Sequence, residues 1–295
     1  MRKLFPFVAS ALVVLLVLLP LILHFGQKRH NQVVIPPPPG GAEAYAPGAV
    51  FGNAAARIME HELDATTGWR PNDLVMWGPR VAADNNSNRQ LGILYALRET
   101  LRLFKDDLTK VATDVYDRNL VEADNLLRND PYKWAFPSAE SRYREAVKRL
   151  DAYVAGLRGE NPSSRPIITR NSELIPLLTA WNVLLGTGHA DLYRTDTDWF
   201  SVDDDFYRVT GYCHVIAHML PAVEQEYHVE LDSRPGLRAL FREIHPPLAR
   251  CAEIKPIYVF NGRDSGMLAN SRRNLDAYVN EARQKIYSIR DELEK

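Results

Sequence analysis

His214 and His218 stand four residues apart in Gly211-Tyr-Cys-His-Val-Ile-Ala-His218, the spacing at which one helix presents two imidazoles to a single ion. Zinc is the metal such a pair would take. A zinc site needs a third protein ligand, for which Glu224 and His228 follow in the same stretch, and Val215 stands where a catalytic Glu usually follows the first His. With Ile216 at the centre of the apolar seam and a step of about 100° per residue, both histidines fall near the opposite side of the helix, with Tyr207, Gly211 and Gln225. That side is either solvent-facing or a second packing face. As a surface it makes Tyr207, Gly211, His214 and His218 candidate contacts for a protein partner. Because the ligand set is incomplete, the expectation is no cofactor, with zinc at His214 and His218 as the alternative.

The two cysteines, Cys213 and Cys251, lie at the edge of one apolar helical stripe and on the next. Neighbouring antiparallel helices would bring them within disulfide range, and the sequence is compatible with either one disulfide or two buried thiols. A cysteine nucleophile is disfavoured, since helix geometry turns Cys213 away from the adjacent His214. The acidic runs Asp106-Asp107 and Asp203-Asp204-Asp205 are read as solvated ends or helix starts, because adjacent residues on a helix do not face one another. The chain has no nucleophile-elbow, phosphate-loop or dinucleotide fingerprint. Trp69, Trp77, Trp134 and Trp181 are read as pocket lining or, more ordinarily, as core and loop anchors.

The elements that must position these residues are helices. Leu94, Leu97, Leu101, Phe104, Leu108 and Val111 recur at alternating three and four residues, the signature of a packed helix. The pattern continues through Tyr116, Leu120, Ala123 and Leu127, as one long helix or two joined near residues 109–113. Ser138 is placed to cap a helix with the seam Tyr143, Val147, Leu150 and Val154. Asn171 would cap the next, closed by Gly186 and Gly188. Asp203–Asp205 begin the helix carrying the histidines, as carboxylates favour a helix's positive end. A break is expected at Pro246-Pro247, and Ile257 to Phe260 is the one strand-like run. The fold expected is all-α: a multi-helix bundle, or two packed half-bundles, over residues 50–295, with an internal boundary near residues 160–170.

The run Leu4 to Phe25 is apolar apart from Ser10 and His24 and carries Pro6 and Pro20; about 20 apolar residues cross a bilayer core as a helix. A cleaved signal peptide would need a small-residue site soon after the run, and Gly26, Gln27, Lys28 and Arg29 do not supply one. The expectation is an uncleaved transmembrane anchor over residues 1–27, with the amino terminus in the cytoplasm. The basic residues on its two sides, Arg2 and Lys3 against Lys28 and Arg29, nearly balance. Residues 28–49, with Pro36-Pro37-Pro38-Pro39-Gly40-Gly41, read as a semi-rigid spacer. Net charge is -1 over the whole chain. Residues 1–31 hold four basic residues and no acid, which leaves -5 for the remainder. A mildly acidic domain has no electrostatic reason to bind nucleic acid.

The stretches Trp69-Arg70-Pro71-Asn72-Asp73, Asn88-Arg89-Gln90-Leu91-Gly92 and Trp134-Ala135-Phe136-Pro137-Ser138-Ala139-Glu140 with Tyr143 resemble an uncharacterised bacterial family with one N-terminal membrane segment and a helical domain. The resemblance implies no activity. Together these readings give a bacterial inner-membrane, single-pass protein. Its carboxy-terminal domain is expected in the periplasm, binding another protein or itself without catalysis. A metal-dependent enzyme at His214 and His218 is the alternative.

Overall fold

The apolar seams fold as nine α-helices among the residues described by the computed structural model: 33–64, 68–72, 80–109, 116–194, 202–254, 256 and 271–295, with Ser10, Leu12 and Val14. The side chains of residues 80–84 and 202 lie outside that description. The helices are α1 (Ala49–Asp64), α2 (Arg80–Leu103), α3 (Arg118–Leu127), α4 (Ala139–Gly156), α5 (Asn171–Tyr193), α6 (Val202–Glu226), α7 (His228–Ser233), α8 (Pro235–Glu253) and α9 (Ser271–Leu293). No strand occurs among the described residues. The fold is the all-α bundle expected. The apolar run Leu4–Phe25, the strand-like run 257–260 and Trp77 fall outside the described residues, apart from the three single positions named above. No helix among the described residues is long and apolar enough to cross a membrane.

The helices pack in two groups joined through α6, against which both α1 and α2 are set. In the first, α1 and α3 pack on α4; in the second, α9 packs on α5 and α8, and α8 also packs on α6. The most extensive contact between any two helices is α2 against α6. It is close because glycines face each other. A Cβ on Gly92 would lie 2.1 Å from the Arg208 carbonyl oxygen, and one on Gly211 would lie 2.3 Å from that of Arg89.

Local signals explain several ends. Asp117 accepts from the backbone N–H of Asn119 and Leu120 and starts α3, and Ser138 accepts from that of Ser141 and starts α4. Asp203–Asp205 occupy the first turn of α6. The start of α1 is capped from a distance, since the Glu226 carboxylate accepts from the N–H of Val50 at 2.8 Å and of Phe51 at 3.2 Å. Of the two readings of residues 92–131, the second holds: α2 gives way to a π-helical turn at Phe104–Leu108, closed by Thr109, and α3 follows separately.

Three expectations are corrected. Gly186 and Gly188 do not end α5, which runs on to Tyr193. They admit close neighbours instead, the Arg283 guanidinium and Val209, whose Cγ2 would lie 3.0 Å from a Cβ on Gly188. Pro246-Pro247 does not break α8; Ile244, Pro247, Leu248 and Cys251 are buried on both sides of it, and that packing offsets the missing backbone donors. Arg170, not Asn171, takes the N-cap position of α5.

Residues 33–47, expected as a spacer, pack onto the bundle. Asn53 Nδ2 donates to the Pro36 carbonyl at 2.7 Å, Ala46 N to Leu157 O at 2.9 Å and Ile167 N to Pro47 O at 2.9 Å, while Tyr45 bridges to Arg158. The stretch 160–170 is tied in similarly, with Arg165 N donating to Asp117 Oδ2 at 3.0 Å and Ile168 N to Leu108 O at 2.8 Å.

Candidate functional site

The histidine face of α6 is its second packing face. Tyr207, Gly211 and His214 are buried, and of the four candidate contacts only His218 reaches the surface. The reason is the glycine crossing, which brings α2 across the side where the apolar seam of α6 is absent. The Tyr207 hydroxyl donates to the Pro256 carbonyl at 2.7 Å. The two imidazoles stack, with centroids 4.2 Å apart and planes inclined by 39°.

His218 Nδ1 lies 2.7 Å from the His214 carbonyl oxygen. A carbonyl only accepts, so Nδ1 carries the proton and a neutral ring presents its lone pair at Nε2. Burial holds the His218 pKa below its ordinary value; the nearby Arg89 and His61 charges press in the same direction, while the carbonyl bond and Glu62 oppose it. His218 borders a half-open cavity of about 370 Å³ shared with Val33, Ile35, Asn53, Pro221 and Gln225.

Behind the histidines lies a buried ion pair. Arg89 of α2 donates through Nη1 and Nη2 to the two Glu62 oxygens of α1, at 2.9 and 2.8 Å, and both side chains are essentially inaccessible. Such a fork-to-fork pair is the strong form of charge-assisted bonding. Burial lowers the Arg89 pKa, and the Glu62 carboxylate opposes the shift. Gln90 Nε2 ties the same turn to the carbonyls of Glu62 and Gly68, and its Oε1 accepts from Arg70 N at 2.8 Å.

The expected metal ligands do not converge. Glu224 pairs with His245 Nε2 at 2.6 Å, and His228 Nδ1 turns back to the Gln225 carbonyl at 2.8 Å. Among the described residues no three His, Cys, Asp or Glu side chains are grouped to hold an ion. Cys213 of α6 and Cys251 of α8 are buried, unlinked thiols that lie close enough to influence each other's charge. Burial first, and the neighbouring thiol second, push the Cys251 pKa up. The tryptophans serve separate places: Trp181 is buried and donates to Thr100 Oγ1 at 3.0 Å, Trp69 is buried, and Trp134 is exposed.

Two features stand outside the residues that the sequence singled out for chemistry. His189 of α5 and Asp276 of α9, 87 residues apart, meet at 2.5 Å, with Asn280 Nδ2 at 3.2 Å from Asp276 Oδ2; no local spacing announces such a pair. The other is the connection between α3 and α4, residues 129–138, held from beneath by buried or half-buried side chains. Trp69 Nε1 donates to Pro131 O at 3.0 Å, Asn72 Nδ2 to Lys133 O at 3.2 Å, and Arg98 Nη2 and the Tyr143 hydroxyl to Asn129 O at 2.7 and 2.9 Å. Trp69 also meets Tyr143 edge-on at 5.0 Å.

A family model described as an uncharacterized protein conserved in bacteria (DUF2333) matches residues 7–192 and 186–295. No curated protein and no solved structure matches the chain.

Proposed function

We propose a function for a chain that belongs to the DUF2333 family of proteins conserved in bacteria: a single-pass inner-membrane protein whose periplasmic helical domain binds another protein, or itself, without catalysis. The observation that carries this reading is the seating of residues 33–47 on α1 and α4. If Leu4–Phe25 spans the bilayer, eight links separate Phe25 from the first packed residue, Val33, which is at most about 29 Å of extended chain. A domain so held stays close to the membrane in a limited range of orientations, as suits a scaffold more than a freely diffusing enzyme. The buried charges near His214 are paired internally, which also favours a structural role there.

The alternative, a metal-dependent enzyme at His214 and His218, gains no support from the surroundings of the pair, since Glu224 and His228 are engaged elsewhere. The test is made on the full chain in cells. Resistance of the membrane pellet to carbonate, protease sensitivity of the domain in spheroplasts but not intact cells, and a crosslinked adduct in membranes are the expected results. Release by carbonate removes the anchor from the reading. Protection in spheroplasts reverses the orientation, and a carbonate-resistant chain that never crosslinks refutes the binding role.

A further inference from the structure

The loop 129–138 presents large aromatic side chains to water on a backbone that is fixed from below. Tyr132, Trp134 and Phe136 alternate along it and are 57%, 65% and 102% exposed. Apolar groups of this size are normally withdrawn from solvent, because removing their surface from water is favourable. Here four side chains, from Trp69, Asn72, Arg98 and Tyr143, hold the loop in the displaying conformation. A preorganised aromatic patch loses little further conformational entropy when it is covered.

Charge and chain direction point to what covers it. Between residues 128 and 144 stand Arg128, Lys133, Arg142 and Arg144 against only Asp130 and Glu140. Arg128 is engaged by Asp124 and Arg144 by Asp64, so the exposed Lys133 and Arg142 are the bases left beside the aromatic side chains to face an anionic surface. The packed tether sits beside the carboxy-terminal end of α6, at Gln225, Glu226 and His228, around residues 42–47. Around residues 33–37 it sits beside Ala217, His218 and Pro221 instead. Followed back toward its amino end, it therefore runs away from the start of α1, which Glu226 caps, and toward α1's carboxy-terminal end. At that end Arg144 donates to the Leu63 carbonyl and Asp64 Oδ1, and Trp69 lies under the aromatic loop. From residues 42–47 back to 33–37 the packed chain thus advances along α6 toward the end that displays Tyr132, Trp134 and Phe136.

We propose that this loop is a second membrane contact: Tyr132, Trp134 and Phe136 enter the interfacial zone of an anionic bilayer, and Lys133 and Arg142 meet lipid phosphates. Tryptophan and tyrosine suit that zone because an apolar ring carries a polar tip, and each base near an anionic surface adds attraction that salt screens. The proposal rests on the membrane-tethered reading above.

The experiment uses the full chain in vesicles of phosphatidylcholine and phosphatidylglycerol, with bromine on the phosphatidylcholine acyl chains just below the headgroup. Emission of the wild type minus that of Trp134→Phe gives the share of Trp134, and the exposure of this side chain leaves the variant's helical circular dichroism unchanged. The expected result is quenching of that share by about twofold or more, weakened when phosphatidylglycerol is omitted or salt is raised. If the chain resists carbonate and the Trp134 share is unquenched, the proposal is overturned and the tethered reading stands. If carbonate strips the chain from the vesicles, the tethered reading falls and the proposal with it. A photoreactive phenylalanine at position 136 that captures a protein in cells, rather than lipid, overturns the proposal in favour of a protein docking site.

Discussion

Replacing Gly211 by alanine tests whether α2 and α6 cross as closely as described. The added Cβ would lie 2.3 Å from the Arg89 carbonyl oxygen, 2.8 Å from Ile93 N and 2.9 Å from Gly92 Cα. Ordinary contacts begin near 3.4 Å, so the helices must separate by roughly 1 Å at a point where both neighbours are backbone and cannot rotate away. Overpacking of this kind costs about 1–3 kcal/mol, and the upper end applies because relief would also loosen the Arg89–Glu62 pair beside it. In a chain of this size each kcal/mol moves the thermal midpoint by about 2–4 °C, so the midpoint is expected to fall by several degrees, up to about 12 °C. Gly236→Ala is the control. Nothing lies within 4 Å of its Cβ, and alanine is the better helix former, so the same chemical change should be neutral or stabilising there. Thermal unfolding of the three proteins by circular dichroism decides the matter. If Gly211→Ala loses no more than Gly236→Ala, the close crossing is refuted.

Arg89→Met leaves the Glu62 carboxylate buried without its partner and is expected to lose about 3–5 kcal/mol, while Glu62→Leu with Arg89→Met recovers most of it, read as a double-mutant cycle in guanidinium. His218 gives stability a pH dependence: the unfolded imidazole takes its proton near the ordinary 6.5, above the depressed value in the fold. Its contribution is therefore complete above about pH 6.5 and is lost as the pH falls through the folded value; His218→Gln should flatten that limb, and an unchanged slope would refute the assignment. The buried thiols Cys213 and Cys251 are expected to resist alkylation in the native chain and to react fully in denaturant without reductant. A requirement for reductant would show that α6 and α8 are joined covalently.

The sequence announced what depends on near neighbours. Period-3.6 seams placed the helices, Ser138 caps α4 as its position suggested, and the acidic run began α6 as a helix dipole asks. What it concealed depends on partners far along the chain. Gly186 and Gly188 look like stops until Arg283 and Val209 are seen against them. Pro246-Pro247 looks like a break until burial on both sides is seen to hold the helix. The histidine side of α6 was legible as not belonging to the apolar seam, but its burial was set by Gly92, more than a hundred residues earlier in the chain. Trp134 and Trp181 carry the same letter and opposite fates, one exposed and one in the core. Trp181 stands at the apolar spacing of its helix with Leu174, Leu178 and Leu185, which foretold its burial, whereas Trp134 lies in no seam and its exposure is set by the loop supports.

The buried polar residues at the α2–α6 seam follow from the glycines that make it. Two helices drawn together until backbone touches backbone leave no room between them for large apolar side chains. The flanking positions are filled by Asn86, Arg89, Gln90, Thr210 and His214, all buried. Arg89 and Gln90 find their partners on α1 and the turn after it rather than on α6. Misregistry of α1 on α2 would strand a buried guanidinium or carboxylate at a cost of several kcal/mol, so the pairing selects one register for α1 and α2, and the glycine contacts select that of α6 on α2. That pair of registers joins the two groups of helices in a single arrangement. It also fixes the tether, seated on α1 and α6, relative to the aromatic loop, which Trp69 and Arg98 hold from the turn after α1 and from α2. A substitution at the seam should therefore change how the loop stands relative to the tether, although it touches neither.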